Sequence, residues 1–530
     1  NPHLPVWTGE FYFEYHRGTY TSMARNKRGN RKSELALMDL ELLSVLARRK
    51  GVQYPTEQLE KLWKMVLLNQ FHDILPGSSI HEVYDVTKAE YEQIATECAA
   101  LRKTCTDTLA SGTDITVFNT LGFAHGGMAT LPQGVFALAK ADGTVLPSQD
   151  VNGETIVLLP LIPSKGFTSF AKAQPQSQPS VFQIEPKDGG YVVDTPFYHI
   201  VIDENGLFTT LFDQKNHREV LKSGKCGNQL RVYEDKPIYY DNWDIDIFYT
   251  EKFWDVNDVD AMEWTANGPL MAELTIKRRF VHSKICQKIK FYRDTQRIDF
   301  DTWVDWHEHQ HLLKVLFPVD VHTDEATFDV QFGNVTRKTH TNTNWDQARF
   351  ESCAHKWVDV SEGGYGVSLL NDCKYGHSVH ENEIGLTLIK SGVEPNATTD
   401  EEEHSFIYAL LPHMGTWKEA TTQQEAAQLN TPLSVVTGGT AGDTYCFAKV
   451  NADNVVLDTV KLAEDGTGVI VRLYESRNMR TACVLTLAEK PACATACNLL
   501  EQAQDVLAVE DHCVRFTMKP YEIKTVLVRF

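Results

Sequence analysis

The chain has 530 residues and a mass of 59.9 kDa, far more than one hydrophobic core organises, so a single small module is excluded and roughly three or four domains are expected. Its composition, 42% hydrophobic, 10% aromatic and 23% charged, is that of a folded globular protein and excludes a disordered or collagenous one. With 51 Lys and Arg against 71 Asp and Glu the net charge is −20, a field that repels nucleic acid and anionic membranes, so neither is an expected partner.

The chain opens Asn1-Pro2-His3, without a Met or an apolar leader, and is expected to be the interior of a longer protein. The following ~110 residues read as helical and almost everything after them as strand, a change of period that marks a domain boundary. Leu35, Met38, Leu42, Val45 and Leu46 give a first helix its apolar face. A second starts near Tyr54-Pro55-Thr56, turns Leu59, Leu62, Trp63 and Val66 inward, and ends before Pro76-Gly77. Ser79-Ile80-His81-Glu82 has the pattern of a capping box and predicts the start of a third. Residues 30–112 are therefore expected to form a three-helix bundle.

From Ile115 the pattern alternates, as in Ile298-Asp299-Phe300-Asp301 with one parity apolar and the other acidic, which predicts sheets with one wet face. The stretch 163–190, rich in Pro, Gln and Ser around Gln174-Pro175-Gln176, reads as a linker or exposed loop. Breaks there and near 437–443 divide the β part into a small domain (113–180), a large β-sandwich (181–436) and a C-terminal β domain (437–530). The fold class is α+β: a three-helix bundle followed by mostly antiparallel β-sandwich domains. Eleven cysteines, an odd number without a C-x-x-C spacing, point to reduced thiols and a cytoplasmic protein.

The densest polar group on a helix is Asn69-Gln70-Phe71-His72-Asp73. Placed in the last turn of the second helix, His72 and Asp73 would lie near the apolar side of the bundle, where an unpaired polar group costs several kcal/mol. Two readings are open. They are a core His with a helix-end Asp, or a metal-ligand His beside a carboxylate that binds substrate hydroxyls.

Four stretches carry a resemblance. Leu4-Pro5-Val6-Trp7-Thr8-Gly9-Glu10, Tyr15-His16-Arg17-Gly18-Thr19-Tyr20-Thr21, Leu68-Asn69-Gln70-Phe71-His72-Asp73-Ile74-Leu75-Pro76-Gly77-Ser78 and Ser361 to Tyr375 closely resemble the class II α-mannosidases, glycoside hydrolase family thirty-eight, in its cytosolic-type branch. The likeness runs in order through the whole chain. It implies an N-terminal catalytic α/β barrel lying upstream, with residues 1–29 a remnant of the connection from it. It also implies retaining, zinc-dependent hydrolysis of terminal α-mannosyl residues of oligosaccharides, with two carboxyl groups ~5–5.5 Å apart and a metal that acts as template and Lewis acid. By this resemblance His72 is a zinc ligand and Asp73 contacts mannose hydroxyls. The other metal ligands, the nucleophile and the general acid have no counterpart here, so the chain alone is expected to be inactive.

Further candidates are weighed against structural roles. By resemblance Glu10, Glu14, His16 and Arg17 border the sugar cleft; a structural salt-bridge cluster is the alternative. Tyr239-Tyr240-Asp241-Asn242-Trp243-Asp244 interleaves aromatics with carboxylates, residue types that stack on sugars and hydrogen-bond them. Asp241 and Asp244 are its candidate sugar contacts, and an ordinary loop with solvated acids is the alternative. Asn371, Asp372, Lys374 and Tyr375 are a weaker case. His307, His309 and His311 would share one face of a strand, but strand neighbours two apart are ~6.5–7 Å from each other and converge poorly on one ion. A surface His row is the reading kept. The rival function is a non-catalytic carbohydrate-binding or scaffolding β protein. A mannose-containing oligosaccharide is the expected partner, and homo-oligomerisation stays open.

Overall fold

The computed structural model describes residues 3–6, 10 and 15–530; Glu14 lies outside them. Three long helices come first: α1 (Ala24–Arg48), α2 (Thr56–Asn69) and α3 (His81–Leu109). Leu37, Leu40, Leu43 and Ala47 of α1 meet Leu59, Leu62 and Val66 of α2 and Ile94, Cys98 and Cys105 of α3 in one core. The expected bundle is therefore present, with two local differences. α1 begins at Ala24, ahead of the expected residue 30, because its start is capped from far away: the Asp400 carboxylate accepts the backbone N–H groups of Met23 and Ala24 at 2.8 and 2.7 Å. At α3 the expected capping box does not form. The helix starts at His81 with Ile80 at its cap and no side-chain cap bond, since the Ser79 N–H is taken by the Tyr84 hydroxyl at 2.7 Å.

The strands follow. A five-stranded sheet unites Ile115–Asn119, Ala137–Ala139 and Gly166–Ala173 with Ser434–Thr437 and Thr444–Cys446, so the small β domain is completed by chain from ~260 residues later. The stretch expected to be a linker thus contains the strands Gly166–Ala173 and Gln183–Lys187. The Pro- and Gln-rich residues between them form an exposed loop, while Gly166–Ala173 pairs antiparallel with Ile115–Asn119.

The central domain is built on a nine-stranded antiparallel sheet, from Asp258–Asn267 across Ile298–Asp305 and Glu403–Met414 to Gly333–Lys338, facing a six-stranded one centred on His311–Pro318 and Glu383–Lys390. Phe300 lies across from Tyr408 in register and meets Phe317 at 5.6 Å between ring centroids. The expected wet face is present on one half of the nine-stranded sheet, where Lys284, Lys288, Lys290, Asp301 and Asp305 alternate with buried neighbours, and it is covered on the other half. Asp299 is buried against Arg297 (2.7 Å), and every residue of the strand Tyr365–Asn371 is buried. The helix Thr422–Asn430 and Trp417 cover the outer side, over Trp357, Leu370 and Leu411.

In the C-terminal domain a four-stranded sheet pairs with a five-stranded one, and its core includes Leu42, Val45 and Leu46 of α1. All eleven cysteines are free, and Cys497 packs with Ile470 and Leu527. No helix among the described residues is long and apolar enough to cross a membrane.

Candidate functional site

Helix α2 stops at Asn69, whose side chain is buried, and the chain then makes a series of turns to Ser78. His72 and Asp73 sit on these turns and not in the helix, so the helical stripes that would have carried them inward do not extend to them. Leu62, Val66 and Asn69 are buried, but Leu68 and Phe71 are more than half exposed, and the His72 side chain is 75% exposed. The inward placement of His72 and Asp73 is corrected accordingly: both face outward, with His72 Nε2 3.4 Å from Asp73 Oδ2.

This turn is held from several directions. The Ser78 hydroxyl donates to Asp73 Oδ1 at 2.9 Å, and the Tyr84 hydroxyl to the Asp73 carbonyl at 3.2 Å. From α1, the Lys27 ammonium donates to the carbonyls of Leu75 (2.7 Å) and Ser22 (2.5 Å). Lys27 is buried, which pushes its ammonium pKa down while the nearby Asp400 carboxylate opposes the shift. At Gly77 the backbone is left-handed (φ +89°), and a Cβ there would lie 2.3 Å from the Ser22 carbonyl oxygen. Only glycine fits this approach.

Two further segments converge on the same place. The short helical turn Gly18–Tyr20 docks on the 239–246 loop, with the N–H groups of Gly18 and Thr19 both donating to the Trp243 carbonyl at 2.8 and 3.2 Å. Asn242 of that loop donates to the Gly77 carbonyl at 3.1 Å and accepts at its own carbonyl from Ser22 Oγ at 2.7 Å. Tyr239 and Tyr240 are exposed, and Tyr240 stands edge-on to Tyr15 (5.8 Å) and Trp243 (6.3 Å). The His72–Asp73 turn is thus tied, through Gly77 and Asn242, to a loop that carries exposed aromatic side chains.

Among the described residues, Glu10, Arg17, Asp241 and Asp244, predicted to meet a sugar, are engaged within the protein. Arg17 donates to Asp244 at 3.2 Å and to the Ala348 carbonyl at 3.2 Å, and lies over the Phe350 ring. Both partners of this ion pair are buried, so Arg17 and Asp244 bind each other where each had been a candidate for substrate. Asp241, also buried, accepts from the Val393 N–H at 2.7 Å. Glu10 forms a two-pronged pair with Arg337, whose hydrogen bonds hold its carboxyl below the usual range against the opposing effect of burial. His16 is half-buried, and its carbonyl accepts from Thr19 Oγ1.

Asn371, Lys374 and Tyr375 surround Arg31 of α1, which donates to Asn371 Oδ1 (3.0 Å) and to the Lys374 carbonyl (3.1 Å) and lies over the Tyr375 ring. The imagined histidine row does not exist. The strand ends at Asp305, and the three rings turn to separate partners: His307 to Asp305, His309 to Glu401, His311 to the His309 carbonyl. No group of three or more His, Cys, Asp and Glu among the described residues is placed to hold a metal ion. His72 and Asp73 supply at most two donors, too few for a four-coordinate site.

Three sequence models match consecutive parts of the chain: the alpha mannosidase middle domain over residues 14–109, the glycosyl hydrolases family 38 C-terminal domain over 193–398, and the C-terminal beta sandwich domain of that family over 454–526. The chain belongs to glycosyl hydrolase family 38. Alpha-mannosidase 2C1 of Homo sapiens is 34% identical over 99% of the chain, and Alpha-mannosidase G of Dictyostelium discoideum 32% identical over 98%. These alignments take in 51% and 52% of the relatives, so the chain spans about half their length. A crystal structure of an alpha-mannosidase from Enterococcus faecalis superposes with a TM-score of 0.80 over 97% of the chain and 68% of its own, at 18% identity, and so shares the fold.

Proposed function

We propose that the chain forms part of a retaining α-mannosidase acting on terminal α-mannosyl residues of oligosaccharides, and that by itself it does not turn over substrate. The observation that supports this reading most strongly is 34% identity along nearly the whole chain to a protein named Alpha-mannosidase 2C1. In the proposal His72 is one ligand of a zinc ion and Asp73, steadied by Ser78, accepts hydrogen bonds from mannose hydroxyls. Further metal donors and the two catalytic carboxyl groups come from the part of the relatives' length that the chain does not span. The exposed Tyr239 and Tyr240, on the loop that Asn242 ties to Gly77, offer flat apolar surface for a sugar ring. A cytoplasmic location belongs to the same proposal and draws on the odd number of cysteines.

The test uses an aryl α-mannoside with added zinc. The 530-residue chain is expected to give no turnover, and the same chain joined to the remaining length of its relatives is expected to be active and to lose that activity in His72→Ala. Turnover by the chain alone refutes its inactivity; an inactive joined protein refutes the mannosidase reading.

A further inference from the structure

A cavity of about 540 Å³ opens where three domains meet, a size in the ~300–1,000 Å³ range of small-molecule sites. One wall is α1 and α2 with Glu41, Tyr54 and Trp63; another is the C-terminal domain with Lys461 and Arg472; Phe332, at the tip of a hairpin of the central sheet, closes a third side. Glu41 is 7% exposed. Its Oε1 accepts from Trp63 Nε1 at 3.0 Å, while Oε2 meets no donor among the described residues and is not sealed by packing, so it opens on the cavity that Glu41 lines. With no protein donor, this oxygen is left to bond with whatever enters the cavity, water or a ligand hydroxyl that takes the water's place.

The charges decide what that is. The lining carries both signs of charge: Glu41, Glu60, Asp458 and Glu464 with Lys64, Lys461 and Arg472. Lys64 is spent on Glu60 and Lys461 on Glu464 and Glu501. A cation would meet Arg472 and Lys461, and an anion Glu41 and Asp458; neither is favoured. A ligand whose groups both donate and accept, as hydroxyls do, satisfies Glu41 Oε2 and an arginine at once. Its apolar face would lie on the indole of Trp63 and the rings of Tyr54 and Phe332.

We propose that this cavity is a binding site for a neutral polyhydroxylated ligand, a sugar unit of an oligosaccharide, with Glu41 as its central hydrogen-bond acceptor. Burial raises the Glu41 carboxyl to about 7, consistent with a group that is short of polar partners until the site is filled. The inference does not depend on the mannosidase reading, because it concerns binding to this chain without turnover.

Calorimetric titration of the 530-residue chain with α-mannobiose, maltose, tetramethylammonium and acetate tests it. At least one disaccharide is expected to bind in the millimolar range or tighter. Glu41→Gln keeps an acceptor for Trp63 and so the fold, and at pH 8, where the Glu41 carboxyl is mostly ionised, is expected to weaken binding about tenfold, the scale of one charge-assisted hydrogen bond. Phe332→Ala, at an exposed hairpin tip, is expected to weaken it as well. Absence of binding by both sugars, binding of an ion in their place, or unchanged affinity in both variants each overturns the proposal.

Discussion

Arg17 and Asp244 show what single residues disclose and what they hide. Each is a type that binds sugar hydroxyls, and each lies in a segment that borders the candidate site, yet 227 positions of sequence separate two groups that satisfy each other in the interior. The residue type was legible; the partner was not, because an ion pair between distant segments leaves no spacing to read. Glu41 illustrates the converse. Its place in the first helix was plain from periodicity, but nothing local marks it as a buried acid, since its partners come from α2 and the C-terminal domain. A measurable consequence follows from its pKa. A carboxyl raised from 4.5 to about 7 holds a proton in the folded chain that the unfolded chain has lost. Its contribution to stability is therefore full below pH 4.5 and declines as pH rises through 7, by at most ~1.4 kcal/mol per pH unit. Glu41→Gln lacks this dependence. Denaturant titrations of both proteins between pH 5 and 8 are expected to show their stability difference moving in favour of Gln as pH rises; a constant difference would contradict the buried carboxyl.

Among the elements, the turns after α2 carry the site's two outward polar groups, and their shape depends on contacts made elsewhere. The sequence pattern located the end of α2 before Pro76-Gly77, but it treated Gln70 to Asp73 as helix because Asn69 and Asp73 continue the four-residue spacing. What ends the helix at Asn69 is tertiary: Lys27, Tyr84 and Asn242 bind the carbonyls of Leu75, Asp73 and Gly77, an arrangement that a helix through this region would not offer. The beginning of α1 was misjudged for the same reason, its cap being the carboxylate of Asp400. Gly77→Ala probes this element directly. The new Cβ meets the Ser22 carbonyl in a left-handed backbone conformation, so the substitution is expected to cost more than ~1 kcal/mol. Because Gly77 also receives Asn242, the loss is expected to reach the 239–246 loop. Thermal unfolding should record the lower midpoint, and amide exchange should rise in both segments; an unchanged Gly77→Ala protein would mean that the turn adapts freely.

At the scale of the whole molecule the three-helix bundle is less a separate domain than its sequence suggested, and α1 is the reason. The succession of helices and sheets was legible because the period of apolar residues changes near residue 112. The joining was not, because α1 buries polar as well as apolar side chains around most of its circumference: Asn26, Lys27, Asn30, Arg31 and Ser33 toward one end, Leu42, Val45 and Leu46 toward the other. The apolar end completes the core of the C-terminal domain, and the polar end enters the central one. There Arg31 supplies donors to Asn371 Oδ1 and to the carbonyls of His355 and Lys374, and Lys32 pairs with Asp372 at 3.0 Å. Segments joined through buried, mutually satisfied polar groups cannot separate without exposing or orphaning them, at ~1–3 kcal/mol for each orphaned group. The bundle and the central β domain are therefore expected to unfold together, with far-ultraviolet dichroism at a helical wavelength and near-ultraviolet dichroism from the sheet-domain tryptophans giving coincident transitions. Arg31→Met fills much of the same volume but withdraws every donor. In that variant the helical signal is expected to melt first and the two transitions to part, whereas separate transitions already present in the unsubstituted chain would show that α1 does not bind the domains into one cooperative unit.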